Sequence, residues 1–379
     1  MEFSEGSVTK DELDRFALKK GQVLLTKDSE SWDDIAIPAY VTDNMPEVVC
    51  GYHLAIAEPF PDDLDGAYLA WLARTDVVND QFKLAARGVT RFGLSQYALK
   101  NAELLVPPIR EQRRIAEYLD EKTFEIDALI EKKRSLLDLL AEKRSAIITN
   151  AVTKGINPGA PTKDCGIDWL GRVPAHWEVV SFKWRCSVTS GQVDPTEDEY
   201  AQLPLVAPDF IASGTGRLFP TPSAEEQGAI SGKYYFEAGT VLYSKIRPLL
   251  SKVCVAPTDG LCSADMYPII PSDAINPKYL FYQLLSQHFT SFAVMESLRV
   301  AMPKVNRESL GRFPILIPPR DEQEQIIQLI DGMWKEIDGI RETIQEVIDR
   351  LEEYRSALIT DAVTGKLKVP EAKRQGEAA

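Results

Sequence analysis

A chain of 379 residues with 44% hydrophobic side chains has material for two or three domains with true cores. No apolar run approaches the ~20 residues a membrane helix needs, and the opening MEFSEGSVTKDELDRF is acidic, without a signal peptide's apolar centre. Five cysteines with no CxxC pair and three scattered histidines argue against a zinc site or a disulfide frame and fit a reducing cytoplasm. The net charge of −14 argues against nucleic acid only on average. Lys and Arg number 10 against 18 acidic residues over 1–107 and 5 against 12 over 318–365, but 10 against 6 over 231–320.

Residues 1–107 are expected to form a mixed domain. GQVLLTKD (21–28) and DIAIPAYV (34–41) have strand character, and AYLAWLART (67–75) has helical spacing. A long helix follows over 108–153. The Gly- and Pro-rich stretch 154–176 is a linker with Trp169 as an anchor and Trp177 just beyond it. A second mixed domain is expected over 177–317, with strands at LPLVAPDFI (203–211) and GTVLYSKIRP (239–248) and a helix at KYLFYQLLSQHFTSFAVM (278–295). A second long helix follows over 318–365, then a tail over 366–379.

The two long helices are copies. Residues 106–153 align without a gap on 317–364, with Pro107 on Pro318, Gln112 on Gln323, Asp127 on Asp338 and Ser145 on Ser356. The domains before them echo each other too, GQVLLTK against GTVLYSK and LSQYALKNAELLVPP against VNRESLGRFPILIPP. The pattern domain–helix–domain–helix predicts an α+β fold in which two mixed domains are separated by two long helices whose matched seams pair as a coiled coil. Heptad spacing places Ile115, Leu119, Ile126, Leu129, Leu136, Leu140 and Ile147 on the seam of the first helix. Lys122, Lys133 and Lys143 interrupt it. Ile326, Ile330, Met333, Ile337, Ile340, Ile344, Val347, Leu351, Tyr354 and Leu358 form the seam of the second. The proline pairs start the helices, since a missing N–H is harmless in a first turn. Gln112 and Gln323, with Glu111 and Glu322, are read as helix-start or partner contacts.

Catalytic motifs are missing. There is no GxxxxGK[ST] loop, no GxGxxG turn, no HExxH and no GxSxG elbow, and acidic pairs such as Asp62-Asp63 lie in polar, turn-like surroundings. No catalytic or metal residue is assigned.

The repeat PPxxEQ…EIDALIEKKRSLLDLLAEKRSAIITNAVTKGINP, followed by DCGIDWLGRVPAHWEV, resembles the specificity (S) subunits of type I restriction–modification systems over nearly the whole chain. That resemblance implies two target-recognition domains, each reading half of a bipartite double-stranded DNA site, and two helices that pack as an antiparallel coiled coil and act as a ruler between the halves. It also implies docking of two methyltransferase (M) subunits and of restriction (R) subunits. S-adenosylmethionine, ATP and magnesium would belong to those partners, with no cofactor on this chain, no membrane and a cytoplasmic location. About 40 helical residues rise ~60 Å, enough to serve successive turns of duplex ~34–36 Å apart. The alternative is a degenerate S subunit that binds only M. It draws on a length difference: some seventy residues precede GTVLYSK in the second domain but only twenty precede GQVLLTK. The first domain is therefore expected to lack its opening strand and early loop.

Candidate DNA contacts rest on residue type and loop position. In the second domain they are Ser190, Gly191 and Gln192 in a polar turn, Lys245, Arg247 and Lys252 after a strand, and Arg299, Lys304 and Arg307 before the second helix. In the first they are Lys27, Arg87, Arg91 and Gln96. Arg and Lys bond guanine edges or phosphates, and Gln can bond adenine.

Overall fold

The computed structural model describes residues 4–297 and 303–371. In chain order the elements used below are β1 (Val23–Thr26), β2 (Pro38–Tyr40), β3 (Leu54–Ala57), α1 (Gly66–Ala73), α2 (Asp76–Ala85), α3 (Ile109–Lys154), β4 (Glu178–Ser181) and β5 (Cys186–Val188). They continue with β6 (Val241–Ser244), β7 (Val253–Val255), β8 (Met266–Pro271), α4 (Pro277–Leu285), α5 (Gln287–Ser297), β9 (Pro314–Ile317) and α6 (Arg320–Val363). The fold is α+β, as the tandem pattern requires. Two compact units result, Met1–Ser135 with Thr343–Ala379, and Leu136–Glu342. Each holds one mixed domain and one half of each long helix. Among the described residues no helix is long and apolar enough to cross a membrane.

The first domain is built on the antiparallel sheet β2-β1-β3. Val23 pairs with Tyr40 on one side and Ala57 on the other. β1 alternates buried and half-buried side chains, so one face meets the core. α1 covers that face. Its sequence GAYLAWLA is apolar nearly all round, and every residue in it except the half-buried Ala67 is buried. Asp65 caps it by accepting the N–H groups of Ala67 and Tyr68.

The second domain repeats this sheet as β7-β6-β8 and extends it with β5 beyond β8. Val241 pairs with Val255 and Ile269, the register of Val23 with Tyr40 and Ala57. As the central strand, β6 is buried at all four positions. α4 packs on it through Tyr279, Leu280, Tyr282 and Leu284, all fully buried, and each such side chain contributes roughly 1.5–3 kcal/mol. An additional three-stranded sheet (205–206, 260–262, 234–236) has no counterpart in the first domain.

One side chain fastens each domain to its long helix. Gln323 is fully buried at the start of α6. Its Nε2 donates to the carbonyls of Ala274 (2.8 Å) and Pro318 (2.9 Å), and its Oε1 accepts the N–H of Asn276 (2.8 Å), the cap of α4. Gln112, 211 positions earlier, does the same for Asp63, Pro107 and Asp65. About two turns of the long helix on, Asp331 accepts from Tyr282 and Asp120 from Trp71 (2.8 Å).

The long helices run antiparallel within each unit. Asp127 meets Arg355 (2.8 Å) and Arg134 meets Glu352 (3.0 Å) in the first. In the second, Arg144 meets Asp338 (3.0 Å) while Arg341 donates to the Leu137 carbonyl. Arg144 is buried and lies 3.7 Å from the centre of the Trp334 ring. Burial lowers its pKa, and Asp338 opposes that shift.

The seam departs from the heptad expectation at alternate positions. Leu119, Ile126, Ile330, Ile337, Ile344 and Leu358 are buried, and Leu140, Ile147 and Leu351 are half-buried on the same line. Leu129, Leu136, Ile340 and Tyr354 are instead exposed, and Met333 and Val347 only half-buried. The second seam position falls four residues after the first, not three. It carries Thr123, Ile130, Leu137 and Arg144 on α3, and Trp334, Arg341, Ile348 and Arg355 on α6. Of the three lysines placed on the seam, Lys133 lies on it, whereas Lys143 is exposed. A 3.6-residue turn allows either phase. Adjacent apolar pairs such as Leu129-Ile130 leave it ambiguous, and ion pairing draws Arg144 and Arg355 inward.

Replacing Gln323 by Leu strands three backbone groups and is expected to cost on the order of 3 kcal/mol, measured by urea unfolding. A loss below about 1 kcal/mol would show that the clamp does not hold the helix. The five cysteines are all free. Burial pushes the Cys186 and Cys254 thiols up to about 12 and Cys262 higher still. A thiol-specific chromogenic reagent at pH 8 is therefore expected to label only the half-buried Cys50 and Cys165 in the folded chain and all five after denaturation.

Candidate nucleic-acid interface

Beyond the sheet, each domain repeats a second piece of backbone. The N–H of Val305 donates to the Lys245 carbonyl (2.8 Å), and that of Leu94 to the Lys27 carbonyl (2.7 Å). Ile246 bridges Lys304 as Asp28 bridges Gly93. The loop after the central strand is thus tied to the loop before the long helix in both domains. The echoes GTVLYSK/GQVLLTK and VNRESLGRF/LSQYALKNA are the sequence trace of this frame. On it Arg307 takes the place of Gln96, and Lys304 that of Gly93.

In the second domain the frame gathers most of the expected contacts. Lys304, Arg307 and Arg247 are exposed. Lys245 and Arg307 lie on the Tyr267 ring at 5.6 and 5.7 Å. Burial raises the pKa of Tyr267 against the opposing effect of Arg307. The Arg307 guanidinium also donates to the carbonyls of Val188 (3.3 Å) and Thr189 (2.7 Å), which brings the turn holding the exposed Ser190 and Gly191 alongside. Arg247 adopts a left-handed backbone (φ 48°), as does Ser251 (φ 45°), so the loop between β6 and β7 is strained at both ends of its short 3-10 turn. The Arg247 N–H is held by the Pro303 carbonyl (3.1 Å).

One candidate falls away from this group. Lys252 turns inward, donating to the Pro208 carbonyl at 2.8 Å beside Asp209. Gln192 is exposed in the turn with Ser190 and Gly191, next to Gly232. Arg299 lies outside the described residues.

In the first domain the same frame carries different chemistry. Arg91 donates to Asp28 (2.9 Å), which also holds His53 (2.6 Å). Burial opposes ionisation of Asp28, but His53 and Arg91 outweigh it and lower its pKa. Lys27 sits 4.3 Å from the centre of the Tyr52 ring, which is 80% exposed. Arg87 and Gln96 are exposed, Gln96 opening the short helix Gln96–Lys100. Sequence reasoning missed Tyr52, His53 and Tyr267, which carry no periodic signal and become recognisable only through their neighbours.

Comparison with known proteins places this architecture. The type I restriction modification DNA specificity domain matches residues 194–350. The EcoDI specificity subunit of Escherichia coli is 27% identical over 315 residues, 79% of this chain and 70% of that protein. The putative MjaX specificity subunit of Methanocaldococcus jannaschii is 23% identical over 341 residues, 87% and 75% of the two chains. A solved chain from work on complex assembly and conformational transition of the type I R-M system shares the fold, with a TM-score of 0.66, 19% identity and coverage of 93% and 83%.

The chain is similar to the type I restriction–modification specificity subunits.

The matched region runs from the second domain well into α6, so it takes in Lys245, Arg247, Lys304 and Arg307 together with the Gln323 clamp. The expected second-domain contacts divide into those the frame presents and the one the fold consumes. Lys304→Ala and Arg247→Ala are expected to leave unfolding free energy within about 0.5 kcal/mol of the parent. Lys252→Ala is expected to lower it by roughly 1.5–3 kcal/mol through loss of a charged hydrogen bond. Equal effects for all three, measured by denaturant unfolding, would undo the division.

Proposed function

We propose that this chain is a specificity subunit that reads a bipartite double-stranded DNA site with its two domains and carries two methyltransferase subunits to it, with restriction subunits joining the full complex. The complex would act as an adenine methyltransferase and a site-specific nuclease. S-adenosylmethionine, ATP and magnesium would be taken by the partner subunits, and this chain would supply sequence choice alone. The observation that carries the reading is the repeated backbone frame with unlike side chains, Lys245, Lys304 and Arg307 on one copy and Lys27, Arg91 and Gln96 on the other. A shared frame presents each domain's side chains in the same way, and different side chains suit different half-sites. Lysines contribute salt-dependent phosphate contacts, and arginine adds bidentate base recognition. Continuous helices of 46 and 44 residues are stiff connections of the kind a fixed half-site spacing needs.

One observation favours a second reading, in which the helices still dock partners while the first domain selects nothing. Among the described residues no strand pairs with the outer edge of β3, whereas β5 covers the corresponding edge of β8.

Co-expression with the neighbouring methyltransferase gene and sequencing of host DNA for methylated adenine tests both. The expected outcome is one bipartite motif, with no methylation by the isolated chain given S-adenosylmethionine. Lys304→Ala with Arg307→Ala should relax one half of the motif by roughly 10- to 100-fold in occupancy, and Lys27→Ala with Arg91→Ala the other half. Methylation by this chain alone would refute the proposal. A half-motif, or none despite a stable complex, would establish the second reading.

A further inference from the structure

Each domain ties three stretches of backbone into one row. Lys245 donates its N–H to the Asp265 carbonyl (2.9 Å), and its own carbonyl accepts the N–H of Val305 (2.8 Å). Lys27 does the same with His53 (2.9 Å) and Leu94 (2.7 Å). Asp265 and His53 therefore hold one position in two copies of the frame, each directly before the strand that flanks the central one, β8 in one domain and β3 in the other. Both side chains are exposed. Backbone alone fixes this position, so its side chain is free to differ between the copies.

Asp265 is out of keeping with its neighbours. Lys245 and Arg307 lie on the Tyr267 ring two residues on, and Arg247 and Lys304 are exposed on the adjoining loops. Yet among the described residues the Asp265 carboxylate takes no ion pair and accepts no hydrogen bond; only its backbone N–H is held, by Ser263 Oγ (3.3 Å). A surface that binds phosphates through cations loses affinity to a carboxylate placed among them. The same group gains where it meets a hydrogen-bond donor on a base edge. The edge it selects follows from its chemistry, since an ionised carboxylate only accepts. In the major groove guanine and thymine present acceptors, and adenine carries the acceptor N7 beside its amino group. Cytosine presents a donor with no acceptor next to it on its own edge.

In the first domain the position carries a ring instead. Asp28 holds His53 Nδ1 at 2.6 Å, and the Arg91 guanidinium lies 3.0 Å from the same nitrogen. Among the described residues Nε2 has no partner. A ring held at one nitrogen presents the other in a set direction, so Asp28 acts as a positioning residue.

We propose that this frame position reads one base pair in each half of the DNA site: Asp265 accepts from the amino group of a cytosine in the major groove, and His53, held by Asp28, reads a different base through Nε2. The assignment rests on the function proposed above and names the residues that choose within it. The cations around the position supply affinity that is indifferent to sequence, and Asp265 gives up part of that affinity in exchange for discrimination.

The test co-expresses the full-length chain with its methyltransferase subunits and compares the methylated motif of the parent with those of Asp265→Ala, Asp265→Asn and His53→Ala. Asp265→Ala is expected to relax one C·G position in one half of the motif by roughly tenfold or more, with the other half unchanged. Asp265→Asn should move the same position toward adenine, whose N6 and N7 suit an amide. His53→Ala should relax a position in the other half only. A second readout separates reading from support: fluorescence anisotropy of the purified complex on a duplex that lacks the motif. There Asp265→Ala should bind more tightly than the parent, by roughly two- to fivefold at low salt, with the difference fading as salt rises. Both side chains are exposed, so an unchanged melting temperature shows that each variant is folded. A motif unchanged by Asp265→Ala, or weaker binding by that variant to every duplex alike, would overturn the assignment. A motif unchanged by His53→Ala would overturn the shared position. A parent complex that methylates no motif would overturn the proposed function, and this assignment with it.

Discussion

The structure depends on a buried glutamine at the start of each long helix. A helix begins with N–H groups that have no partner inside it, and the loop that reaches it carries further polar backbone. Gln112 and Gln323 answer both problems at once, because an amide accepts with one atom and donates twice with the other. Each accepts the N–H of the residue that caps the domain helix and donates to carbonyls on both flanks. The domain helix and the long helix thus share one set of hydrogen bonds. The aspartates about two turns of the helix later, Asp120 and Asp331, fasten the same pair of helices a second time through Trp71 and Tyr282.

That rigid base gives meaning to the frame at the candidate interface. The loops holding Lys245 and Lys27 are tied by backbone hydrogen bonds to the loops that lead through β9 and residues 103–106 into the clamped helices. Because these ties run through the backbone, the side chains on them can change without disturbing the frame. Gly93 and Lys304, or Gln96 and Arg307, occupy equivalent places with unrelated chemistry. Under the proposed function, this separation of support and recognition lets the side chains vary while the support stays fixed. The exception is Lys252, whose ammonium the fold uses to hold the Pro208 carbonyl.

Charge follows the same division. The acidic long helix α6 uses its carboxylates within the molecule, Asp338 for Arg144 and Asp331 for Lys278 and Tyr282. The symmetry-related pairs Asp127–Arg355 and Asp338–Arg144 recur 211 positions apart, so polar groups set the register of both halves of the helix pairing. A net charge of −14 therefore describes the scaffold more than the loops that Lys304 and Arg307 occupy.

The sequence by itself determined the tandem plan, the two long helices and the α+β class, because a gapless repeat and a heptad period survive in one dimension. It also brought Gln96 opposite Arg307 and Lys27 opposite Lys245, through two short echoes that mark one frame. Only the tertiary structure decided the phase of the seam, since Leu129 and Ile130 are equally apolar and the choice between them rests on where Asp338 and Asp127 draw the arginines. It alone turned Lys252 inward and set Tyr267 beneath Lys245 and Arg307, because such contacts join residues distant in sequence. Leu105 and Leu316 are identical side chains in matching stretches, yet the first is exposed and the second buried, because burial depends on what packs on them from elsewhere in the fold.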